Sequence, residues 1–585
     1  MSSTAHRPPS CRAYIWNRDP ARLLGALLAT ALVVLSCQSG PSSTDREAAP
    51  ATTAMEPTGT TEATETKPPK LLEGLGDQTH PINTDVPLAQ RYFDQGLILT
   101  FGFNHYAAIA AFEEAARLDP TCAMCHWGIA LALGPNINAP MGPEAATRAY
   151  AEVQKALELV QDSYSAREKA YIEALAKRYS KEVPEDRSDL DLAYANAMRK
   201  VYEADPSDVD GATLFAESLM DLYPWAYWTA GGEPKEYTQE IVDTLEAVFV
   251  IAPNHVGANH YYIHAVEEYY PEKGEEAADR LGDLAPDAGH LVHMPSHIYW
   301  RIGRYEDATE INQRAAAADE EYFSWCAPGA FYRAAYYPHN IHFLWAAAST
   351  EGRSDLALMT ARRLAAATAP DMAAMPMLQE FVAIPLLTQA RFARWDSLLA
   401  EPEPAPGAVY VTGIWYYTRG LAQVRSGDAD AARLSLAQLA ETAQLEDAEA
   451  LILAGGTASA AQLLAIAVAH LDGEIALAEG DPTTAIADLQ RAAELHDGLA
   501  YMEPPPWYAP PRQVLGVVLL EQGRAEEAEA VYVEDLRQYP KNGWSLLGLA
   551  QSFDAQGEQA KADWARQGFE AAWARADVEL ESSRL

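Results

Sequence analysis

Seven of the fourteen histidines in this 585-residue chain fall between Asn259 and His342. Their spacing is helical. His260, His264 and Glu267 stand at i, i+4, i+7; His290, His293 and His297 at i, i+3, i+7; His339 and His342 at i, i+3. Residues three or four apart share one helix face. Imidazole is the commonest transition-metal ligand, and an i, i+4 pair has the reach for one ion. With Glu267 and the upstream acids Asp210 and Glu217, this set exceeds one tetrahedral site. It suits a two-metal centre, or one ion with spare groups around it. Mixed imidazole and carboxylate donors fit zinc, iron, copper or manganese, and residue types alone do not choose among them. The competing expectation is that these histidines bond to backbone and tyrosine groups, or form a polar groove for a peptide. Pro295 interrupts the middle stripe, where a regular helix would kink. Either His290 and His293 splay away from His297, or a helix begins at Pro295.

A second candidate is Cys122-Ala123-Met124-Cys125-His126, which satisfies the C-x-x-C-H pattern of haem c attachment. Against it, the segment opens a helix in which His126 points between paired helices and leaves no room for a porphyrin. A local Cys122–Cys125 disulfide, or a link to Cys326, fits equally well, so haem c is not the expectation. Met372, Met375 and Met377 form a thioether cluster that suits Cu(I) or, more ordinarily, a helical core. No phosphate-cradling glycine loop and no nucleophile elbow is present.

The elements that carry these residues must be helices. Apolar residues make up 49% of the chain, alanine dominates, and strand-like alternation is scarce. The net charge is −40 with no basic block, which argues against direct nucleic-acid binding. From Asp85 onward a turn glycine is repeatedly followed five residues later by alanine: Gly303/Ala308, Gly352/Ala357, Gly427/Ala432, Gly480/Ala485, Gly523/Ala528 and Gly557/Ala562. Glycine permits the turn, and alanine lets the second helix approach the first. Prolines close other units, as in Leu118-Asp119-Pro120, Ala204-Asp205-Pro206 and Ala252-Pro253. Ser165 and Glu168 form a capping box.

The period and the Ala/Pro pattern resemble the tetratricopeptide repeat (TPR) family, over most of residues 85–575 with many degenerate copies. The resemblance implies an all-α, helical-hairpin solenoid coiled into a right-handed superhelix, with the first helix of each pair lining a concave face. It places groove side chains about 13, 10 and 6 residues before each turn glycine. That register gives His290, His293 and His297 before Gly303, and His339 and His342 before Gly352. His260, His264 and Glu267 come from the preceding repeat. Asp210 and Glu217 lie one repeat earlier, followed by an aromatic loop with Trp225 and Trp228. The metal candidates are therefore His260, His264, Glu267, His290, His293, His297, His339 and His342. The ligand-groove candidates are Asp210, Glu217, Trp225 and Trp228.

Arginines at 7, 12, 18 and 22 precede an apolar run from Leu23 to Leu35, too short to span a bilayer comfortably. Val34-Leu35-Ser36-Cys37 resembles a bacterial lipoprotein cleavage box, with Cys37 the lipidated residue. Gln38 in place of aspartate implies, by that resemblance, the outer membrane facing the periplasm. The division is residues 1–36 as signal peptide and 37–75 as a disordered Ser/Thr/Pro/Glu tether. Repeats follow over 76–250, 251–410 (histidine-rich) and 411–585. The leading expectation is a binding or scaffold protein of the cell envelope, taking a peptide, protein or small molecule in its groove and touching the membrane only through its lipid. The alternative is a metal-dependent (zinc, iron or copper) enzyme or metal-handling protein.

Overall fold

The turn glycines and their alanines organise the chain as the spacing predicts. All six glycines adopt positive φ, from +70° at Gly523 to +83° at Gly480, a region closed to most side chains. All six partner alanines are fully buried. The computed structural model describes residues 68–326, 329 and 331–585. Within them the chain is an all-α, TPR-like helical-hairpin solenoid, and its one sheet is a two-residue pairing of Ile452–Leu453 with Ala458–Ser459. The signal peptide, Cys37 and the first part of the tether lie outside the described residues.

Local chemistry sets the helix ends. Helices ending at Leu118, Ala204 and Ile251 are each followed within two residues by Pro120, Pro206 or Pro253. Asn104, Asp208, His255, Asp428, Asp481 and Asn542 each accept a backbone N–H at a helix start. The Ser165/Glu168 capping box forms and opens the helix Ala166–Leu175. Gly303 and Gly352 stand 49 residues apart, against 34 for Gly523 and Gly557, and part of that excess lies in the 21-residue helix Tyr305–Trp325.

Residues 68–372 and 376–585 belong to one compact unit, and both ends of the array pack against its middle. The tether needs correcting at its end. Residues 69–75 dock rather than float: Tyr92 donates to the Pro69 carbonyl, Leu72 N–H to Gln95, and Gly74 N–H to Asp287 at 2.9 Å. Leu75 is buried; such apolar side chains supply the surface that the Ser/Thr-rich stretch lacks. At the other end, Trp544 donates to the Ser349 carbonyl, Asp577 accepts from Ser354 and Asp355 N–H, and Arg575 pairs with Glu306 and Glu310. A Cβ on Gly303 would meet the Pro540 carbonyl at 2.3 Å. Gly303 therefore serves both the turn and this close approach. The apolar helix Ala460–Ala478 is long enough to cross a bilayer, but 67% of its apolar window is buried.

Candidate metal centre

Three consecutive units deliver histidines to one place. The helix Val256–Val266 brings His260 and His264; the segments Gly289–His293 and Pro295–Ile302 bring His290, His293 and His297; the helix Tyr337–Thr350 brings His339. Neighbouring ring centroids lie 4.8 Å apart for His260/His264 and His293/His339, 5.1 Å for His260/His290, and 5.0 Å for His293/His297. The kink expected at Pro295 is mild. Met294 keeps helical angles, Pro295 starts the next helix, and the two flanking histidines stay together. A π-helical turn, Tyr332–Tyr336, precedes the third helix and sets Tyr336 against His290 at 4.5 Å. Wide turns of this kind recur at functional sites.

The ring nitrogens sort into two sets. Nδ1 of His260 contacts the Phe101 carbonyl at 2.5 Å. Nδ1 of His264 faces Glu267 Oε1 at 3.3 Å. Nδ1 of His293 contacts Asn312 Oδ1 at 2.6 Å, and the Asn312 amide is oriented by its own bond to the Ala308 carbonyl. Nδ1 of His297 lies 3.1 Å from Glu267 and 3.2 Å from Glu503. Nδ1 of His260, His264 and His293 therefore bonds an acceptor and carries the proton, which leaves each of their Nε2 atoms with a lone pair, whereas Nδ1 of His297 sits between two carboxylates. Those Nε2 atoms converge. His293 and His339 Nε2 lie 3.1 and 3.4 Å from His297 Nε2. In a tetrahedral zinc site the nitrogen–nitrogen edge is about 3.3 Å. The ligand atoms of His260, His264 and His290 lie within 4.8 Å of one another. Nε2 of His260 and His264, and both nitrogens of His290, are buried without a hydrogen-bond partner.

The electrostatics set His297 apart from the other rings. Burial, with repulsion from neighbouring imidazoles, holds His260, His290, His293 and His339 well below the ordinary histidine range, hence neutral. Burial also lowers His264, although Glu267 pulls the other way. Burial disfavours charge on His297 too, but Glu267 and Glu503 outweigh it and push this group up to about 10. Burial would raise Glu267, yet His297 and His264 hold it below its usual value. Burial raises Glu503 against the pull of His297. Carboxylates on the far nitrogen of a ligating histidine orient the ring and raise its basicity. Phe103, Tyr336 and Phe343 pack on the rings and keep the surroundings apolar.

Not every candidate joins. His342 is buried, but its ring stacks on Trp345 at 14° and meets Phe381, because its position turns it toward the next helix. Asp210 is buried between His80 and His255. Glu217 is buried near Arg178 and Asp221. Trp228 donates to the Ala265 carbonyl. These three do not line an accessible groove, and the histidine stripes themselves are enclosed rather than displayed. Trp225 is 41% exposed and meets His264 edge-on at 5.0 Å. Cys122 and Cys125 form a disulfide and His126 bonds Glu152 at 2.7 Å, leaving no thiol there for haem attachment. Glu503 and Asn312 went unforeseen. Glu503 lies 206 residues from His297, beside a proline-rich loop, and nothing local marks it. Asn312, fully buried, is a polar residue in an alanine-rich helix, which is the one readable hint.

Two of the cavities among the described residues can be placed against this cluster. One of about 10 Å³, room for a single water, adjoins His290 and Tyr332. The other, of about 70 Å³, is lined by Arg391, His470, Trp507 and Trp544 and contains none of the clustered histidines.

No protein-family model matches this chain, and no curated protein matches it. Among solved structures it is similar to a chain of the APC/C hetero-tetramer Cut9–Hcn1, at 13% identity, covering 85% of this chain and 76% of that one, with a TM-score of 0.27. The human IFIT1 dimer with m7Gppp-AAAA gives 12% identity, 85% and 92% coverage and a TM-score of 0.29. Yeast Tom70 gives 12%, 81% and 89%, and 0.27. Superpositions this loose carry no argument about the site.

Proposed function

We propose that this chain is a metal-binding helical-repeat protein of the cell envelope. Its repeats act as the scaffold that brings imidazoles from three successive units to a transition-metal site. One observation carries the reading: Nδ1 of three buried histidines bonds an acceptor, while the Nε2 atoms of the cluster point at one another or are left without partners. A structural histidine core would use both nitrogens of each ring, since a buried polar atom without a partner costs about 1–3 kcal/mol. An all-imidazole donor set suits zinc, copper or iron over calcium or magnesium. This reading moves ahead of an open peptide groove because the histidine wall is covered by Phe103, Tyr336 and Glu503. The lipid anchor at Cys37 and a periplasm-facing outer-membrane position complete the proposal, on the strength of the leader and its cleavage box.

Elemental analysis of the full-length protein, purified from an exporting host, tests the metal. The expected result is stoichiometric zinc, copper or iron, reduced in His293→Ala/His297→Ala with helical content retained. Folded wild-type protein that stays metal-free after exposure to Zn²⁺, Cu²⁺ and Fe²⁺ overturns it. Labelling with radioactive palmitate tests the anchor, and a Cys37→Ser variant that keeps the label refutes it.

A further inference from the structure

We infer that the cluster is a two-ion centre, with His260, His264 and His290 holding one ion and His293, His297 and His339 the other. This rests on the metal-binding reading above and extends it to stoichiometry and to the open coordination position of each ion.

Six converging imidazoles are more than one tetrahedral ion accepts, since it takes four donors. They also divide. The ligand atoms of each trio lie within 4.8 Å of one another. The rings that face each other between the trios, His264/His297 and His290/His293, stand 5.7 and 5.8 Å apart. One segment feeds both trios, with His290 and His293 before the break at Met294–Pro295 and His297 after it.

The carboxylates divide the same way. Glu267 offers Oε1 to His264 in one trio and Oε2 to His297 in the other. Glu503 adds a second contact to His297 and is itself held by Tyr501 at 2.6 Å and by Arg301 at 3.5 Å. Glu267 therefore links the two ions through their outer groups and partly offsets their summed charge in a buried site. Nδ1 of His297 with the two carboxylates is another conceivable three-donor set. At 3.1 and 3.2 Å those contacts hold Nδ1 of His297 between two carboxylates, while its Nε2 lies 3.1 and 3.4 Å from Nε2 of His293 and His339, the contacts on which the second trio is drawn. Three protein donors per ion is the count found in open zinc sites, where water, hydroxide or another small oxygen ligand takes the fourth place.

Metal counting tests this. The full-length protein is stripped with a chelator, reloaded with excess Zn²⁺, dialysed and assayed for zinc per chain, with helical content followed by circular dichroism. The expected count is two for wild type, one for His290→Ala, one for His339→Ala and none for the double variant. His290→Gln and His339→Gln replace any alanine variant that loses its helical signal. Titration with Co²⁺ gives an independent count, with visible absorption rising to two equivalents in wild type and to one in each single variant. One zinc in wild type, lost in both single variants, overturns the two-ion centre and leaves the metal-binding reading standing. Two ions kept in either variant also overturns the assignment. No zinc in folded wild type removes both proposals.

Discussion

The molecule buries two groups of histidine and carboxylate, and they differ in one respect. His80, Asp210 and His255 form the first. Asp210 Oδ2 meets His80 Nδ1 at 2.8 Å, and Oδ1 meets His255 Nε2 at 3.0 Å. His255 Nδ1 accepts the Ala258 N–H and caps its helix, and Gln78 closes the network on Asp210 and on Val256. Only His80 Nε2 is left over. In the six-histidine cluster the pinned nitrogens face outward to acceptors and the others face inward to each other. Burial does not separate the two groups. What separates them is the destination of the second ring nitrogen. The first group reads as a hydrogen-bonded brace between residues 78–80 and two repeats, the second as the donor set proposed for a cation.

The brace gives the largest expected effect on folding. Burial works against charge on Asp210, but hydrogen bonds from His255 and His80 hold its carboxyl well below the ordinary 3.8. A depressed carboxyl stabilises the fold above its unfolded value, and that contribution is lost as pH falls through the folded one. Wild-type stability should therefore decline as pH drops below about 4. Asp210→Asn should cost about 3 kcal/mol at neutral pH and should flatten that acid limb. Its zinc content should stay at the wild-type value. Denaturation midpoints at neutral and acid pH, with zinc counted alongside, check this; loss of zinc in Asp210→Asn would erase the distinction between the groups.

The donor set gives the next effect. Zinc at a hundredfold excess over Kd should stabilise the folded chain by about 2.7 kcal/mol. The gain should shrink in His297→Ala, which loses one of the two ions, and persist in full in Asp210→Asn. Thermal unfolding with and without Zn²⁺ reads both, and an equal shift in all three proteins would mean that zinc acts elsewhere.

The sequence showed the repeats and the stripes because both are local. A glycine at a turn and an alanine five residues on answer to constraints within one hairpin, so Gly303/Ala308 is legible without a structure. The i, i+4 spacing likewise places His260 beside His264 whatever surrounds them. Contacts set by the packing of distant units were not legible. Phe101 offers its carbonyl to His260 across 159 residues, and Glu503 reaches His297 from a loop two hundred residues on. Repeat register also failed to say which face stays open. Phe103, with φ of +55°, and the loop at Glu503 cover a wall that the hairpin pattern alone would leave exposed. His342 shows the limit of spacing: three residues from His339, it belongs to an aromatic stack.

Glu503→Gln sharpens the contrast further. Removing a carboxylate behind a ligating histidine typically weakens metal binding 10- to 100-fold, about 1.4–2.7 kcal/mol. Competition with a chromophoric chelator should show that loss for Zn²⁺, with helical content unchanged. Unaltered affinity would demote Glu503 from a positioning residue to a packing contact.

The smallest effect belongs to His342, the stripe member that the fold directs elsewhere. Burial pushes its imidazole down to about 3, so it is neutral at any working pH. It lies 5.4 Å from Trp345 and 5.3 Å from Phe381, ring centre to ring centre. A flat aromatic ring of similar shape should fill the same slot, and near-isosteric core exchanges usually cost less than about 1.5 kcal/mol. His342→Phe should therefore shift the denaturation midpoint only slightly and leave zinc affinity and zinc count unchanged. His339→Phe, one helical turn away, should remove one zinc. If His342→Phe also lost zinc, the ring would have to turn toward the cluster in solution, and the boundary drawn between donors and core would be misplaced.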